Sequence, residues 1–325
     1  MDLENKKVLF IAPVFYQYHK EIIKTLESFG AEVKFYPEIK QSIWFRLSQK
    51  VSHQLKSYIE QKHRRGLLAE IKKDEFDLVF IIRGGYFDQS FLQALKQKLS
   101  QARFVMYQWD SVSQNNYLPL IPYFDRVQTF DMKDAKQYKL DYLPLFYAEE
   151  YASLKYQKQK KEYDIVFYGA YHSDRLDVVK AVSALCKQHD LVFKSHLYIT
   201  KLALIRLLVT GVINYKDKQF LKTYSVPANE IVDTYKRTTA VLDIELSIQD
   251  GLTIRTFEVL GAGLKLLTTN DNIRQETFFD DNRILVIDRQ NVAITPSFFK
   301  ANEEQGKVDF EQYHINNWLK KVLSK

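Results

Sequence analysis

Short apolar runs alternate with segments of helical periodicity along the first 130 residues. The runs predict buried strands, and the segments between them repeat apolar side chains every three or four positions, as an amphipathic helix does. The first such segment stops at Gly30, a residue that often ends helices. We expect strands at residues 8–12, 33–36, 78–82, 104–107 and 126–130, and helices at residues 18–29, 42–73 and 91–99.

The same alternation starts again after a polar stretch rich in lysine and tyrosine, residues 146–163. This stretch carries no strand signal, and we interpret residues 155–162 as a domain linker. Further strands are predicted at residues 164–168, 191–194, 240–244, 265–268 and 284–287, and helices at residues 175–187, 227–236, 251–261 and 310–323.

Alternating strands and helices are typical of a parallel sheet covered by helices on both faces. A chain of 325 residues is long for one hydrophobic core but sufficient for two. We therefore predict an α/β protein with two Rossmann-like domains, residues 1–150 and 163–309, that face each other across a cleft. A final helix, residues 310–325, can pack back on the first domain.

Composition narrows the class of protein. Cys186 is the only cysteine, so internal disulfides are excluded and a reducing compartment is expected. Its apolar helical surroundings indicate a buried structural thiol. No secretory signal precedes the first strand, and no apolar run reaches the roughly 20 residues that span a bilayer. We expect a cytoplasmic protein, either soluble or bound peripherally to the inner face of the cell membrane.

The net charge of +7 is concentrated in residues 40–73, where nine basic residues meet two acidic ones. Apolar residues, among them Trp44, are mixed with these cations, which suits an anionic membrane surface. The alternative is a helix that packs its apolar face on its own domain and exposes a basic face. Residues 197–222 are a second candidate for the membrane. Because the basic segment lacks a recognised nucleic-acid-binding motif, nucleic acid is not an expected partner.

The segment 248–263 carries the most informative chemistry. A helix is predicted to open at Gly251, where unpaired backbone N–H groups favour an anion. Arg255 and Glu258 then lie three positions apart on one helix face. An arginine can hold a diphosphate through two parallel hydrogen bonds, and a carboxylate can accept both hydroxyls of a ribose. The pattern suits a nucleotide-sugar site; the alternative is a local Arg–Glu pair on a solvated helix.

Ligands of open parallel sheets bind at the carboxyl ends of the strands, and other polar residues fall there. Asp110 is a candidate general base or acceptor-orienting group, unless it caps a helix over residues 115–120. His19 is a candidate cleft histidine, and a packed or surface histidine is the alternative. His172 is interpreted as a contact to the donor phosphate or a hydroxyl. Asp131 fits a turn aspartate equally well.

Several stretches resemble a known family. They are residues 249–270, 123–131, 143–147 and 166–172 with Arg175. All resemble GT-B glycosyltransferases, and most closely a bacterial group assigned to lipopolysaccharide, capsule or exopolysaccharide synthesis and related to spore-maturation-type glycosyltransferases. The block at 249–270 is the most specific part of this resemblance, which extends over roughly residues 75–290.

The resemblance implies a GT-B fold whose C-terminal domain binds a nucleotide-sugar and whose N-terminal domain binds an acceptor. Glu258 matches the family's ribose-binding glutamate, Arg255 a diphosphate-facing arginine, and Gly169 the glycine that lets the backbone approach the nucleotide. Asp250 lies eight positions before Glu258, as an acid does in the commonest retaining members, but the glycine after it is offset from their pattern. The donor-binding candidates are Gly169, His172, Arg175, Asp250, Gly251, Thr253, Arg255, Glu258 and Asn270, and the catalytic candidates are Asp110 and His19.

The expected function is transfer of a sugar to a glycan or lipid-linked acceptor in bacterial surface polysaccharide synthesis. The nucleotide-sugar is then a substrate, and no cofactor is expected. The chain has no Cys/His metal spacing and no phosphate-binding glycine motif, so a metal-independent reaction is expected. The alternatives are a GT-B sugar-nucleotide epimerase or hydrolase, and a non-catalytic nucleotide-sugar-binding protein.

Overall fold

The computed structural model of the chain describes residues 3–40, 45, 53–157, 159–172, 174–246, 250–300 and 310–324. The chain divides into two compact units, each with its own parallel sheet, which confirms the predicted two-domain α/β fold. Unit 1 comprises Met1–Leu145 and Ile315–Lys325, and unit 2 comprises Phe146–His314. The segment 155–162, interpreted above as a linker, belongs to unit 2.

Unit 1 is built on a sheet of six parallel strands in the described chain. They are β1 (Lys7–Ala12), β2 (Glu32–Pro37), β3 (Leu78–Ile82), β4 (Arg103–Gln108), β5 (Arg126–Thr129) and β6 (Asp141–Tyr142). All side chains of β3 are buried, because helices cover both faces of the sheet, and this explains its continuous apolar run. The strand order is β2-β1-β3-β4-β5-β6, so the connections reverse direction between β1 and β3.

Helices connect these strands, and two of them begin at side-chain caps. The connecting helices are α1 (Tyr18–Ser28), α2 (His53–Glu70), α3 (Gln89–Lys98) and α4 (Met132–Tyr138). Asp88 accepts the backbone N–H of Phe91 at the start of α3. Asp131 accepts those of Lys133 and Asp134 at the start of α4. Asp131 is therefore a helix cap, close to the turn aspartate that was one interpretation of the sequence.

The C-terminal helix, Ile315–Leu323, completes the core of unit 1. Trp318 on this helix is fully buried, and its Nε1 donates to the carbonyl oxygen of Pro144 at 3.1 Å. Its ring meets that of Tyr107 in β4 edge to face, with 4.8 Å between ring centroids. The end of the chain therefore contributes directly to the first sheet's packing.

Unit 2 repeats the architecture with six parallel strands among its described residues. They are β7 (Tyr163–Ala170), β8 (Phe193–Tyr198), β9 (Leu221–Lys222), β10 (Thr238–Asp243), β11 (Lys265–Thr268) and β12 (Ile284–Val286). The order is β12-β11-β10-β7-β8-β9, so the connections reverse direction between β7 and β10. This reversal determines where a ligand of unit 2 would bind.

Helices of unit 2 cover this sheet. They are α5 (Glu149–Ala152), α6 (Arg175–Gln188), α7 (Lys201–Val209), α8 (Ala228–Lys236), α9 (Ile254–Gly261) and α10 (Ser297–Lys300). Cys186 on α6 is 1% exposed, and burial raises the pKa of its thiol to about 11. The thiol is therefore a structural side chain, as its sequence surroundings indicate.

Several predicted boundaries differ from the structure. The C-terminal helix begins at Ile315 and not at residue 310, since Phe310–Tyr313 form a 3₁₀ turn of unit 2. Helix α9 begins at Ile254 and not at Gly251, because the side-chain amide of Asn270 donates to the carbonyl oxygen of Gly251 and holds this part of the chain outside the helix. Strand β8 occupies Phe193–Tyr198 and not residues 191–194. Apolar and polar side chains are mixed along β8, so its apolar run marks only its beginning.

Candidate functional site

Three arginines meet where the connections of the unit 2 sheet reverse direction. Such a reversal leaves a crevice at the carboxyl ends of the two flanking strands, here β7 and β10, and open α/β sheets bind ligands there. Arg175 begins α6 after β7, Arg255 lies in the first turn of α9, and Arg289 follows β12. Arg175 and Arg289 donate to the adjacent carbonyl oxygens of Ile244 and Glu245, and Arg175 and Arg255 both donate to carbonyl oxygens of β7, so the three side chains share one region. Burial, together with the positive charges of Arg255 and Arg289, lowers the pKa of Arg175 to about 10.

Arg175 bridges the two strands of this crevice. Its Nη1 donates to the carbonyl oxygen of Ala170 in β7 at 3.0 Å, and its Nε donates to that of Ile244, just beyond β10, at 2.8 Å. A Cβ on Gly169 would lie 2.7 Å from the ring of Phe167 and 3.2 Å from Nη1 of Arg175. The glycine expected to admit a nucleotide is thus also required by the protein's own side chains.

Arg289, which was not among the predicted site residues, forms an ion-pair network. Its Nη1 donates to both carboxylate oxygens of Asp174, at 2.8 and 3.0 Å, and its Nη2 donates to Oε1 and the carbonyl oxygen of Glu245. Glu245 is buried, and Thr269 donates to its other carboxylate oxygen at 2.6 Å. Burial raises the pKa of Glu245. Arg289 lies three positions after β12. It was therefore predictable as a candidate, because ligands of parallel sheets bind at the carboxyl ends of the strands.

Arg255 is directed into unit 2. Its Nη1 donates to the carbonyl oxygen of Tyr168 in β7, which ties α9 to the sheet. Burial alone would lower the pKa of Arg255, but Tyr235, Asp243 and Glu258 raise it above its usual value. Its Nε is buried and has no hydrogen-bond partner in the part of the chain that the structure describes. A phosphate oxygen would supply the acceptor that this N–H lacks.

Glu258, one turn after Arg255, is only 5% exposed. Tyr151 of α5 shares a hydrogen bond with its carboxylate, and burial followed by the charge of Glu258 raises the pKa of Tyr151. Because Glu258 is buried, the alternative of a solvated Arg–Glu pair does not fit the structure. The carboxylate predicted to bind a ribose is held within unit 2.

The loop before α9 is held by its neighbours. Thr253, the N-cap residue of α9, donates its hydroxyl to Asp243 at the end of β10. Asn270 follows β11 and donates to the carbonyl oxygens of Asp250 and Gly251 at 3.4 and 3.3 Å. These contacts place the four predicted donor-binding residues Asp250, Gly251, Thr253 and Asn270 at the carboxyl ends of β10 and β11.

His172 is near the arginines and is half-buried after β7. Burial, followed by the charge of Arg175, lowers its pKa, so the imidazole is neutral at pH 7. Across the described ranges, no group of three or more histidine, cysteine, aspartate or glutamate side chains is placed to hold a metal ion.

A second charged cluster lies at the carboxyl ends of β2, β3 and β4 in unit 1. Arg83 donates from Nε to Asp110 at 2.6 Å and from Nη1 to Glu38 at 3.0 Å. Glu38 is fully buried, and burial raises its pKa to about 7, although the charge of Arg83 lowers it. Arg83 has a φ of +72°, a left-handed conformation that is costly for a non-glycine residue and is most often kept at functional sites.

Asp110 does not cap the following helix. That helix is a 3₁₀ turn at Leu118–Tyr123 with Tyr117 as its N-cap. The Asp110 side chain is instead about 30% exposed and pairs with Arg83. Arg83 directly follows β3 and Glu38 directly follows β2, but neither was predicted as a site residue.

Aromatic side chains cluster near Trp109, the residue that precedes Asp110. Phe15 and Tyr16 follow β1 and are 50% and 71% exposed, and the ring centroid of Phe15 lies 6.4 Å from that of Trp109 and 6.2 Å from that of Tyr18. Contiguous exposed aromatic surface of this kind usually marks a binding site. Apolar rings next to a carboxylate suit a ligand with both apolar and hydroxyl-bearing faces, such as a sugar.

His19 has a different environment from Asp110. It is buried in α1, and its ring stacks on Phe35 of β2 with 5.2 Å between centroids. Burial, followed by the charge of Lys20, lowers its pKa. The structure therefore fits the alternative prediction of a packed histidine. Because the ring is buried, it is poorly placed to contact a substrate.

The basic segment 40–73 is only partly described, because residues 41–44 and 46–52 lie outside the described ranges. Phe45 is buried against Tyr86, and on α2 Leu67 packs into the unit 1 core. Arg64 turns inward to bond the carbonyl oxygen of Tyr86 at 2.6 Å, and His63 bonds that of Pro37 at 2.9 Å. These contacts favour the alternative of a helix packed on its own domain. No described helix is long and apolar enough to cross a membrane.

Comparisons with known proteins agree with this architecture. Residues 167–306 match the model of a family described as glycosyl transferase-like. No curated protein matches the sequence of the chain. A glycosyltransferase from Rickettsia africae ESF-5 superposes over 99% of both chains with a TM-score of 0.61 at 14% identity. At such identity, the similarity establishes the fold alone.

Two further solved structures share this fold. An alpha-glucosyltransferase in complex with UDP and a 13-mer DNA has a TM-score of 0.59 at 12% identity, over 98% of this chain and 96% of that one. Anabaena HepE, in complex with UDP and glucose, has a TM-score of 0.57 at 13% identity, over 99% of this chain and 100% of that one. The predicted GT-B-like fold is confirmed.

Proposed function

We propose that the protein is a glycosyltransferase that moves a sugar from a nucleotide-sugar, bound by unit 2, to a glycan or lipid-linked acceptor recognised by unit 1. The observation that supports this most directly is the group of three arginines at the β7–β10 crevice. It lies at the switch point of an α/β sheet and within the segment that matches the glycosyl transferase-like model. The acceptor belongs, in this proposal, to bacterial surface polysaccharide synthesis, as the resemblance of residues 249–270 suggests.

The arginines are suited to a diphosphate leaving group. Arg255 keeps a buried N–H without an acceptor among the described residues, and Arg175 and Arg289 add two fixed positive charges nearby. Preorganised cations of this kind stabilise the negative charge that develops as the glycosidic bond breaks. In this proposal they take the role that a metal ion has in other transferases, and the reaction is metal-independent.

In unit 1, Asp110 is the proposed general base for an inverting transfer. A base must come within hydrogen-bond reach of the attacking hydroxyl, and Asp110 is both partly exposed and held by Arg83. The exposed ring of Phe15 and the half-buried ring of Trp109 would hold the acceptor sugar beside it. His19 is less suited to this role because it is buried against Phe35.

The donor site can be tested by thermal stability against UDP-, GDP-, CMP- and dTDP-sugars. UDP-sugars come first, since two proteins with this fold were solved with UDP. A ligand bound only by the folded state raises the melting temperature; at a concentration one hundred times Kd it stabilises by about 2.7 kcal/mol. We expect a rise with one nucleotide class. No rise with any donor at millimolar concentration would contradict the proposed donor site.

The matched variant is Arg289→Ala combined with Glu245→Gln. The double change removes the guanidinium without leaving a buried unpaired carboxylate, so the fold should survive. We expect it to weaken donor binding at least tenfold, whereas Arg274→Ala, an exposed arginine paired with Asp271, should bind as the wild type does. Equal binding by all three proteins would exclude Arg289 from the site.

Product analysis separates transfer from the alternative activities. With donor and acceptor glycans present, a transferase forms a new glycoside, while a hydrolase releases free sugar and an epimerase changes the nucleotide-sugar itself. We expect Asp110→Asn to lower the transfer rate at least a hundredfold with donor binding unchanged. If the protein binds a donor but forms none of these products, it is a non-catalytic nucleotide-sugar-binding protein.

A further inference from the structure

Helix α7 (Lys201–Val209) carries apolar side chains on two opposite faces. Leu204 is buried, and Leu207 and Leu208 pack against the core of unit 2. On the other face, Leu202 is 80% exposed and Val209 is 82% exposed. A helix at the edge of a domain needs only its inward face to be apolar, so the outward aliphatic residues are not explained by packing within unit 2.

The exposed apolar face continues beyond the helix. Val212, in the turn after α7, is 64% exposed, and its N–H bonds the carbonyl oxygen of Leu207, which folds this turn back on the helix end. Tyr215, at the start of the next 3₁₀ turn, is 77% exposed. We call this group the α7 surface; its members are Leu202, Ile205, Val209, Val212 and Tyr215.

The charged side chains that residues 199–222 expose are all basic. The exposed neighbours of the α7 surface include the basic residues Lys201, Arg206, Lys216 and Lys218. Asp217 is the only acid between residues 199 and 222. It is buried, where it pairs with Lys180 at 2.7 Å and accepts the backbone N–H of Asn214 at 2.9 Å. The outward face of this segment therefore presents cations and aliphatic side chains without an exposed carboxylate.

We propose that the α7 surface docks on an anionic lipid bilayer, with α7 lying in the plane of the headgroups. Exposed leucine, isoleucine and valine on one helix face can insert into the acyl boundary, while the surrounding lysines and arginine contact lipid phosphates. Tyr215 has the apolar ring and polar hydroxyl that suit the membrane–water interface. The bilayer is favoured over a protein partner because every charged side chain that this segment exposes is basic, which matches anionic lipid phosphates.

This proposal is independent of the transferase activity, because lipid binding is measured without donor or acceptor. The probe is co-sedimentation of the protein with phosphatidylcholine vesicles that contain about one third phosphatidylglycerol, against vesicles of phosphatidylcholine alone. We expect binding to the anionic vesicles that weakens as salt is raised, and at least tenfold weaker binding to the neutral ones. Absence of binding to the anionic vesicles would overturn the proposal.

The variant that locates the binding is Leu202→Ser, Ile205→Ser and Val209→Ser together. All three side chains are more than half exposed, so the melting temperature should be unchanged. The matched control is Val192→Ser with Tyr156→Ser, two exposed apolar residues of unit 2 outside the α7 surface. We expect the triple variant to bind anionic vesicles at least tenfold more weakly and the control to bind like the wild type.

Two results would assign the surface differently. Equal vesicle binding by the triple variant and the wild type would place lipid binding elsewhere, for example in residues 40–73. If the wild type is a dimer in sedimentation experiments, and the triple variant becomes monomeric without a change in vesicle binding, the occupant of the α7 surface is a second copy of the chain.

Discussion

Glu38 is a carboxylic acid that the fold removes from water and places beside Arg83. Burial raises its pKa to about 7, because the loss of hydration outweighs the attraction of one guanidinium. Arg83 remains charged and also binds Asp110, so the protonation state of Glu38 affects how strongly Arg83 is shared between the two acids. The environment of the proposed base therefore changes near neutral pH.

The stability of the fold should reflect this pKa. Between pH 4.5, the usual value, and about 7, the folded chain holds a proton on Glu38 that the unfolded chain has lost, so stability falls as pH rises through this window. Glu38→Gln has no carboxyl group to titrate, so its free energy of unfolding does not fall in this window. Relative to the wild type, we expect the variant to gain up to about 3 kcal/mol in the free energy of unfolding between pH 4.5 and pH 8. Urea unfolding at the two pH values measures the difference.

Glu75→Gln is the matched control for Glu38. The backbone N–H of Lys72 and the charge of Lys34 lower the pKa of Glu75, so its contribution has the opposite sign and is lost only as pH falls. Glu75→Gln should therefore gain no stability relative to the wild type at pH 8. If the stability difference between Glu38→Gln and the wild type is the same at both pH values, the raised pKa is wrong.

The positions of individual candidate residues were predictable where position along a strand sufficed. Arg175 and Asp110 stand at strand ends, and the structure places both at the carboxyl edges of their sheets. Arg289 and Glu245 lie 44 positions apart in the chain, and their pairing requires the fold. The inward direction of Glu258 was not predictable either, because helical spacing defines a face but not what packs against it.

At the scale of elements, the close packing of α9 requires a glycine in the helix. Gly261 in its last turn lies against Tyr147, and a Cβ there would be only 2.4 to 2.7 Å from ring atoms of that tyrosine. The same helix carries Arg255 and Glu258, so the close approach of α9 also sets the positions of two donor-site candidates. The sequence shows Gly261 only as part of a predicted glycine turn after the helix.

Two glycine-to-alanine changes should therefore have opposite effects. Gly261→Ala forces Tyr147 or α9 to move, and we expect it to destabilise the fold by about 1 to 3 kcal/mol. Gly66→Ala, within α2, meets no atom within 4 Å and should stabilise by about 0.5 to 1 kcal/mol through helix propensity. Denaturant unfolding of both variants gives the comparison; a stabilised Gly261→Ala would show that Tyr147 has room to move.

At the scale of the whole molecule, the two ends of the chain belong to the same unit. Ile315–Leu323 packs on unit 1 through Trp318, which reaches Pro144 and Tyr107. Periodicity predicted a helix near the C-terminus, but an apolar helix face can pack on any complementary surface. The partner of this face is known only from the tertiary structure.

Removing that anchor should loosen unit 1 selectively. Trp318→Ala leaves a cavity beside Tyr107, and we expect a loss of about 3 to 5 kcal/mol in the free energy of unfolding. In hydrogen exchange, amides of β1, β3 and β4 should exchange faster than in the wild type, while those of β7 and β10 keep their protection. Lys320→Ala, on the exposed side of the same helix, serves as the control and should change little. Equal loosening of both sheets would show that the units do not unfold separately.

The order of strands and helices and the two-domain α/β class were determined by the sequence itself, because buried parallel strands and amphipathic helices impose their own periodicities. The carboxyl ends of strands followed from that order, and with them the neighbourhood of Arg175, Arg255 and Asp110. The tertiary structure decided which charges meet, such as Arg289 with Glu245 and Arg83 with Glu38. It also decided which apolar helix face stays in solvent, as on α7. Both depend on contacts between residues far apart in the chain, which local patterns of side chains do not encode.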